Sequence, residues 1–90
     1  MREIKYSTQF KNDIKQTRKH NKNMDKLKAV MQLIANKQPL PSVLNDHELI
    51  GKWKHHRELH IESDWLLIYY FLDDKKVHFE RTGSHFDLFR

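Results

Sequence analysis

The sequence predicts an α+β domain, with two helices near the N-terminus followed by a succession of strands. Three observations lead there. Apolar residues recur at helical spacing in two early segments, and three later runs are rich in β-branched and aromatic residues with strand-like alternation. No repeat, low-complexity tract or linker-like stretch divides the 90 residues, so residues 1–90 read as one domain.

The elements follow in order. EIKYS (Glu3 to Ser7) is a short strand candidate. Ser7 or Thr8 can cap the helix after it, in which Phe10 and Ile14 sit one turn apart and Lys11, Lys15, Arg18 and Lys19 form a basic flank. HNKN (His20 to Asn23) interrupts the pattern. A second helix runs from about Met24, with Leu27, Val30, Met31 and Ile34 on its apolar face. QPLP (Gln38 to Pro41) stops it, because proline lacks an amide hydrogen and pushes the preceding residue out of helical geometry. A loop carrying His47 ends near Gly51. The strands WKHHRELHI, WLLIYYFL and KVHFERT come next, the last two joined by DDKK (Asp73 to Lys76) as a hairpin. In the middle strand Trp65, Leu67, Tyr69 and Phe71 point one way and Leu66, Ile68 and Tyr70 the other, so it is central, with the helices on one side. The tail is GSHFDLFR.

Composition narrows the chemistry. A domain this small buries only roughly 60 to 65 % of the surface of its unfolded chain, so the core is thin. The mean hydropathy is -0.88, but the retained aromatics and periodic apolar runs oppose disorder. With no cysteine, disulfides, thiolate nucleophiles and thiolate metal sites are excluded. The N-terminus has no apolar signal region, and WLLIYYFL is far shorter than the ~20 residues needed to cross a bilayer, so a cytoplasmic protein without membrane association is expected. Seventeen Lys plus Arg against twelve Asp plus Glu, with seven His besides, point to nucleic acid or an acidic protein as partner.

Metal chemistry finds little support. His56 and His60 share a strand face at a Cα separation of about 13 Å, too far for adjacent ligands of one ion, and His55 and His56 face opposite ways. Ser42, Ser63 and Ser84 lack a nucleophile-elbow context, and two glycines make no nucleotide-binding loop. Acid and base catalysis without cofactor remains. RNA cleavage fits it, because the 2′-hydroxyl is an internal nucleophile and the protein need only move protons and stabilise charge on phosphorus.

The segments DHELIGKWK (Asp46 to Lys54), RELHIESDWLLIY (Arg57 to Tyr69) and FERTGSHFDLF (Phe79 to Phe89), in this order, resemble the YafQ branch of the RelE superfamily of bacterial toxins. The resemblance extends over nearly the whole chain. It implies two helices packed on a twisted antiparallel sheet of about four strands, and a toxin endoribonuclease of a type II toxin-antitoxin pair. It also implies mRNA cut in the A site of the 70S ribosome, contacts with ribosomal RNA, and silencing by a cognate antitoxin, for which the charge suggests an acidic segment. A free monomer is expected. Two departures are Ser63, where relatives often have proline, and Arg90 after Phe89.

By matching motif, the resemblance assigns His47, His60, Asp64 and His85 to catalysis and Trp65 and Phe89 to base stacking. His85 is expected as general acid toward the leaving 5′ oxygen. Either His60 or Asp64 removes the 2′ proton, with His60 held by Asp64 if the imidazole is the base. His47 contributes a proton or a hydrogen bond to phosphate. Arg81 and Arg57 are candidates to stabilise the phosphorane, since a guanidinium presents a planar fork to phosphate oxygens; otherwise they pair with Glu58 or Glu80. Trp53 is assigned to structure. No metal or cofactor is called for. The competing reading is a non-catalytic RNA-binding or protein-interaction module on the same fold.

Overall fold

A computed structural model describes residues 1–89; Arg90 lies outside the described residues. The chain runs β1 (Glu3–Tyr6), α1 (Thr8–Lys19), α2 (Met24–Ala35), β2 (His47–Glu48), β3 (Arg57–Glu62), β4 (Trp65–Asp73), β5 (Lys76–Gly83) and α3 (His85–Phe89), with short 3-10 turns at Ser42–Leu44 and Gly51–Trp53.

Local chemistry sets the helix ends. Ser7, rather than Thr8, caps α1: its Oγ accepts from Phe10 N at 2.8 Å and donates to Glu80 O at 2.7 Å, so one hydroxyl satisfies an orphan helix amide and ties the cap to β5. Asn23 caps α2 through Asp25 N. Past the end of α2, Lys37 turns into left-handed geometry at φ 59° just before the Gln38 to Pro41 segment.

The sheet has the order β1-β5-β4-β3-β2. Two expectations change here. There are five strands rather than about four, because His47 and Glu48 pair with Glu58 and Arg57 to add an edge. The sheet is mixed rather than wholly antiparallel, because β1 lies parallel to β5, where Tyr6 stacks with Phe10 and Phe79. The remaining pairings are antiparallel. Strand β3 starts at Arg57, since residues 51–53 form a turn, and the tail folds into α3.

Strand β4 is central, as its two apolar faces require. Trp65, Leu67 and Tyr69 pack with Leu59, Ile61, Val77 and Phe79 against Phe10 of α1 and Leu27, Val30, Met31 and Ile34 of α2. On the other face Leu66 and Ile68 are sealed under Leu88 of α3, flanked by Leu49 and Trp53. Burying such a side chain contributes ~1.5–3 kcal/mol, so exposing Leu66 and Ile68 together would forfeit ~3–6 kcal/mol, comparable to the whole stability of a small domain. The cover supplied by α3 is therefore part of the fold.

One carboxylate staples α1 to β5. Asp13, 8 % exposed, accepts from Arg81 Nε at 2.7 Å and Nη2 at 3.2 Å and from Thr82 N at 3.1 Å. Replacing Asp13 with Ala strands the amide and the guanidinium together. A loss of about 2–3 kcal/mol in unfolding free energy is expected, read from urea unfolding, with the m-value unchanged.

Candidate active site

The face of the sheet opposite α1 and α2 carries a row of imidazoles. His47 enters from β2, His60 from β3 and His85 from the first residue of α3. Ring centroids are 6.3 Å apart for His47 and His60, 5.8 Å for His60 and His85, and 6.1 Å for His85 and Phe89. Residues separated by up to 42 positions thus line one surface; two strands and a helix converge because β2 pairs with β3 and Leu88 docks α3 over β4. The convergence that cleavage chemistry needs is present.

Two carboxylates organise the row. Glu58 is 5 % exposed, and its Oε1 lies 3.6 Å from Nε2 of both His47 and His60. His47 Nδ1 is 2.8 Å from Asn45 O and His60 Nδ1 3.4 Å from Ser63 O. A carbonyl can only accept, so Nδ1 is the donor in each ring and Nε2 is the nitrogen turned to the shared carboxylate. The second carboxylate is Asp64. Its Oδ1 accepts from His85 Nδ1 and from His85 N, each at 3.1 Å, which fixes the His85 tautomer and leaves Nε2 for proton exchange.

Glu58 is the residue that sequence reasoning missed as part of the site. The signal was available: period-two alternation in Arg57 to Ile61 sets Glu58 on the His60 face. Asp64 engages His85, not His60, so the expected Asp64 hold on the His60 tautomer gives way to Ser63 O and Glu58.

Two expected substrate contacts are overturned. Trp65 is 1 % exposed, faces the helices, and spends its indole N–H on Thr82 Oγ1 at 3.0 Å; a ring sealed into the core offers no face to a base. Arg57 lies on the helix-side face of β3, with Nε and Nη2 on Asp46 Oδ2 at 3.1 and 2.9 Å. Tyr69 Oη donates to Asp46 Oδ1 at 2.6 Å. Asp46 raises the guanidinium pKa, while burial and then Asp46 push the phenol up. This clamp immediately precedes His47, so Arg57 orients the histidine's strand rather than a phosphate.

Arg81 pairs with Asp13, not with Glu58 or Glu80. It nevertheless lines a cleft of about 480 Å³ between α1 and the β5–α3 junction, whose wall includes Asp64, Ser84 and Asp87. Asp13 engages Nε and Nη2, and among the described residues no hydrogen bond is made by Nη1. Trp53 is structural as expected, and its ring also meets Phe89 at 6.0 Å. Among the described residues, no group of three or more His, Asp or Glu side chains is arranged to hold a metal ion, and no helix is long and apolar enough to cross a membrane.

Comparison with known proteins gives consistent matches. The family described as bacterial toxin of type II toxin-antitoxin system, YafQ, matches residues 2–90. The mRNA interferase toxin YafQ of Escherichia coli (strain K12) is 51 % identical over 89 residues, covering 98 % of this chain and 96 % of that protein. The crystal structure of YafQ from E. coli strain BL21(DE3) superposes with a TM-score of 0.93 at 48 % identity, over the whole of both chains. YafQ in the E. coli DinJ–YafQ complex matches with a TM-score of 0.89 at 50 % identity, again over both entire chains.

The backbone amide of His85, and next its imidazole, hold the Asp64 carboxyl below its ordinary value of 3.8 against a small opposing effect of desolvation. A depressed carboxyl pKa means the anchor is complete above the ordinary carboxylate range and is lost as pH falls through the lowered value. Carbon-detected NMR titration of the Asp64 carboxyl should give a midpoint under 3.8. In His85→Ala it should rise only part of the way, because the backbone donor remains.

Proposed function

This chain belongs to the YafQ family of bacterial toxins of type II toxin-antitoxin systems, and we propose that it is an mRNA interferase whose imidazole row cuts RNA by internal attack. The observation that carries the mechanism is the 5.8 Å approach of the His60 and His85 rings, each backed by its own carboxylate.

The 2′-hydroxyl proton passes to His60 Nε2, which faces Glu58. O2′ forms a bond to phosphorus as the bond from phosphorus to O5′ breaks. His85 Nε2 delivers a proton to the departing O5′, and Asp64 holds the imidazole in orientation throughout. The products are a 2′,3′-cyclic phosphate, which water opens to a 3′-phosphate, and a 5′-hydroxyl end. Between His60 and Asp64, Asp64 is the weaker base because its Oδ1 already accepts twice from His85. His47, as an imidazolium, donates from Nε2 to a non-bridging phosphate oxygen, and the guanidinium of Arg81 adds charge beside the site. Phe89, 39 % exposed, presents a ring to the base next to the cut.

The substrate is mRNA in the A site of the 70S ribosome. Lys11, Lys15, Arg18, Lys19 and Lys28 are exposed along α1 and α2 and supply salt-sensitive affinity for ribosomal RNA without reading sequence. Lys22 and Lys26 differ, since both pair with Glu62. The cognate antitoxin presents an acidic segment to the positive surface, and the free toxin is a cytoplasmic monomer.

General acid catalysis contributes about 10² to 10⁴ in rate. His85→Gln should therefore cut cleavage of ribosome-bound mRNA at least ~100-fold while circular dichroism and the melting temperature stay at wild-type values. A variant keeping a third of the activity removes His85 from the mechanism. A 2′-deoxyribose at the scissile nucleotide should block cutting, and added chelator should not; cleavage of the deoxy substrate refutes internal attack.

A further inference from the structure

The aromatic surface does not end at Phe89. Ring contacts continue from Phe89 to Trp53 at 6.0 Å, from Trp53 to His56 at 5.2 Å, from His56 to Tyr70 at 4.8 Å and from Tyr70 to His78 at 4.8 Å. The last pair lies within 27° of parallel and sits directly across the β4–β5 pairing. His56, Tyr70 and His78 thus form a row across three adjacent stretches of chain, on the same face as the catalytic imidazoles. Packing alone does not account for it. The hydrophobic residues of this face are already collected under Leu88, whereas these three rings stay half-buried outside that cluster. The backbone is also bent to deliver one of them: His55 adopts φ 72°, a left-handed conformation that costs a non-glycine residue energy, immediately before His56.

Leu66, paired with His60, and Tyr70 are four residues apart on β4, a separation of about 13 Å. A nucleotide over Tyr70 is therefore not the one being cut but lies a short way along the same strand. Trp53 and Phe89 span the gap, and exposed Lys52 and Lys54 flank Trp53 in sequence. Aromatic faces in series beside basic residues are the device by which single strands are held, because every base has a π-face. Imidazole and phenol edges add hydrogen-bonding groups, and His78 keeps its Nε2 on Glu80 Oε2 at 3.0 Å, which steadies the ring.

We infer that the His56–Tyr70–His78 row is a second base-stacking subsite for the RNA strand, reached from the scissile phosphate by way of Phe89 and Trp53. The inference rests on the nuclease reading above and deepens it: affinity for the messenger depends on a base remote from the cut.

The test uses the full chain and two oligoribonucleotides blocked by 2′-deoxyribose at the cleavage position, a trimer and a nonamer. Wild-type protein should bind the nonamer at least about fivefold more tightly, the equivalent of ~1 kcal/mol from one stacked base. Tyr70→Ser combined with His78→Ser should abolish that advantage, and Tyr70→Phe should keep it. An advantage that survives in the double variant, or is lost equally with Phe, overturns the subsite. Should the double variant unfold, ring-proton NMR of the wild type decides: His56 and His78 signals must move with the nonamer and not with the trimer. Stationary rings overturn the proposal and leave this row to a protein partner. Cleavage of unmodified ribosome-bound mRNA is run in parallel. Its absence removes the nuclease reading, whereas cleavage with stationary rings removes only the second subsite.

Discussion

Strand β4 is the constraint from which the rest of the molecule follows. It is apolar on both faces, and Leu66, Leu67 and Ile68 are all completely buried. A sheet with a strand of this kind must be covered twice. Two helices cover one face in the ordinary way. Among the described residues the second face is covered by a five-residue helix and a turn, to which Leu88 and Trp53 belong. The cover then has a chemical consequence. Docking Leu88 on Leu66 and Ile68 carries His85, the first residue of the same helix, onto the flank of His60, with Phe89, its last, against His85. Packing and the geometry of the imidazole row are thus one event.

Electrostatics finishes what packing begins. A carboxylate in a thin core is tolerable only when its oxygens are occupied, and each acidic side chain near the site meets that condition differently. Glu58 faces two imidazoles. Asp13 is saturated by Arg81 and the Thr82 amide, holding the end of β5 to α1 just before α3 begins. Asp46 is gripped by Arg57 and Tyr69 beside the short edge strand that carries His47. Asp64, exposed, receives two donors from His85. A two-residue strand such as β2 has little ladder of its own, so the Asp46 clamp is the stronger determinant of where His47 stands.

Most of the excess positive charge is spatially separate from the imidazole row. It is concentrated in the lysines and arginine of α1 and α2, across the sheet from the imidazoles. An overall charge of +5 therefore does not describe the imidazole face, which mixes its histidines with Glu58, Asp64 and Glu80. Screening confines the influence of those lysines to distances of about 10 Å in ordinary salt, so the two faces are electrostatically distinct.

Much of this was legible in the linear chain. Helical spacing in Met24 to Ile34 and the unbroken apolar run of Trp65 to Tyr70 are local properties, and a local property survives whatever the rest of the chain does. Alternation grouped Trp65 with Leu67 and Tyr69 on one face but, with both faces apolar, not on the helix side; its burial there was settled by packing. Glu58 was readable from its spacing to His60, yet a lone Glu on a strand carries no sign that two imidazoles will meet it. What sequence could not decide was pairing between distant parts: β1 against β5, the edge strand at His47, and the choice of Asp46 for Arg57 and Asp13 for Arg81. A guanidinium on a long flexible stem can reach any of several carboxylates, and only the assembled fold sets which one lies within 3 Å. Residue types and their faces were thus determined by the sequence itself, while the partners of its charged groups, and so the working geometry of the site, were decided by tertiary contacts.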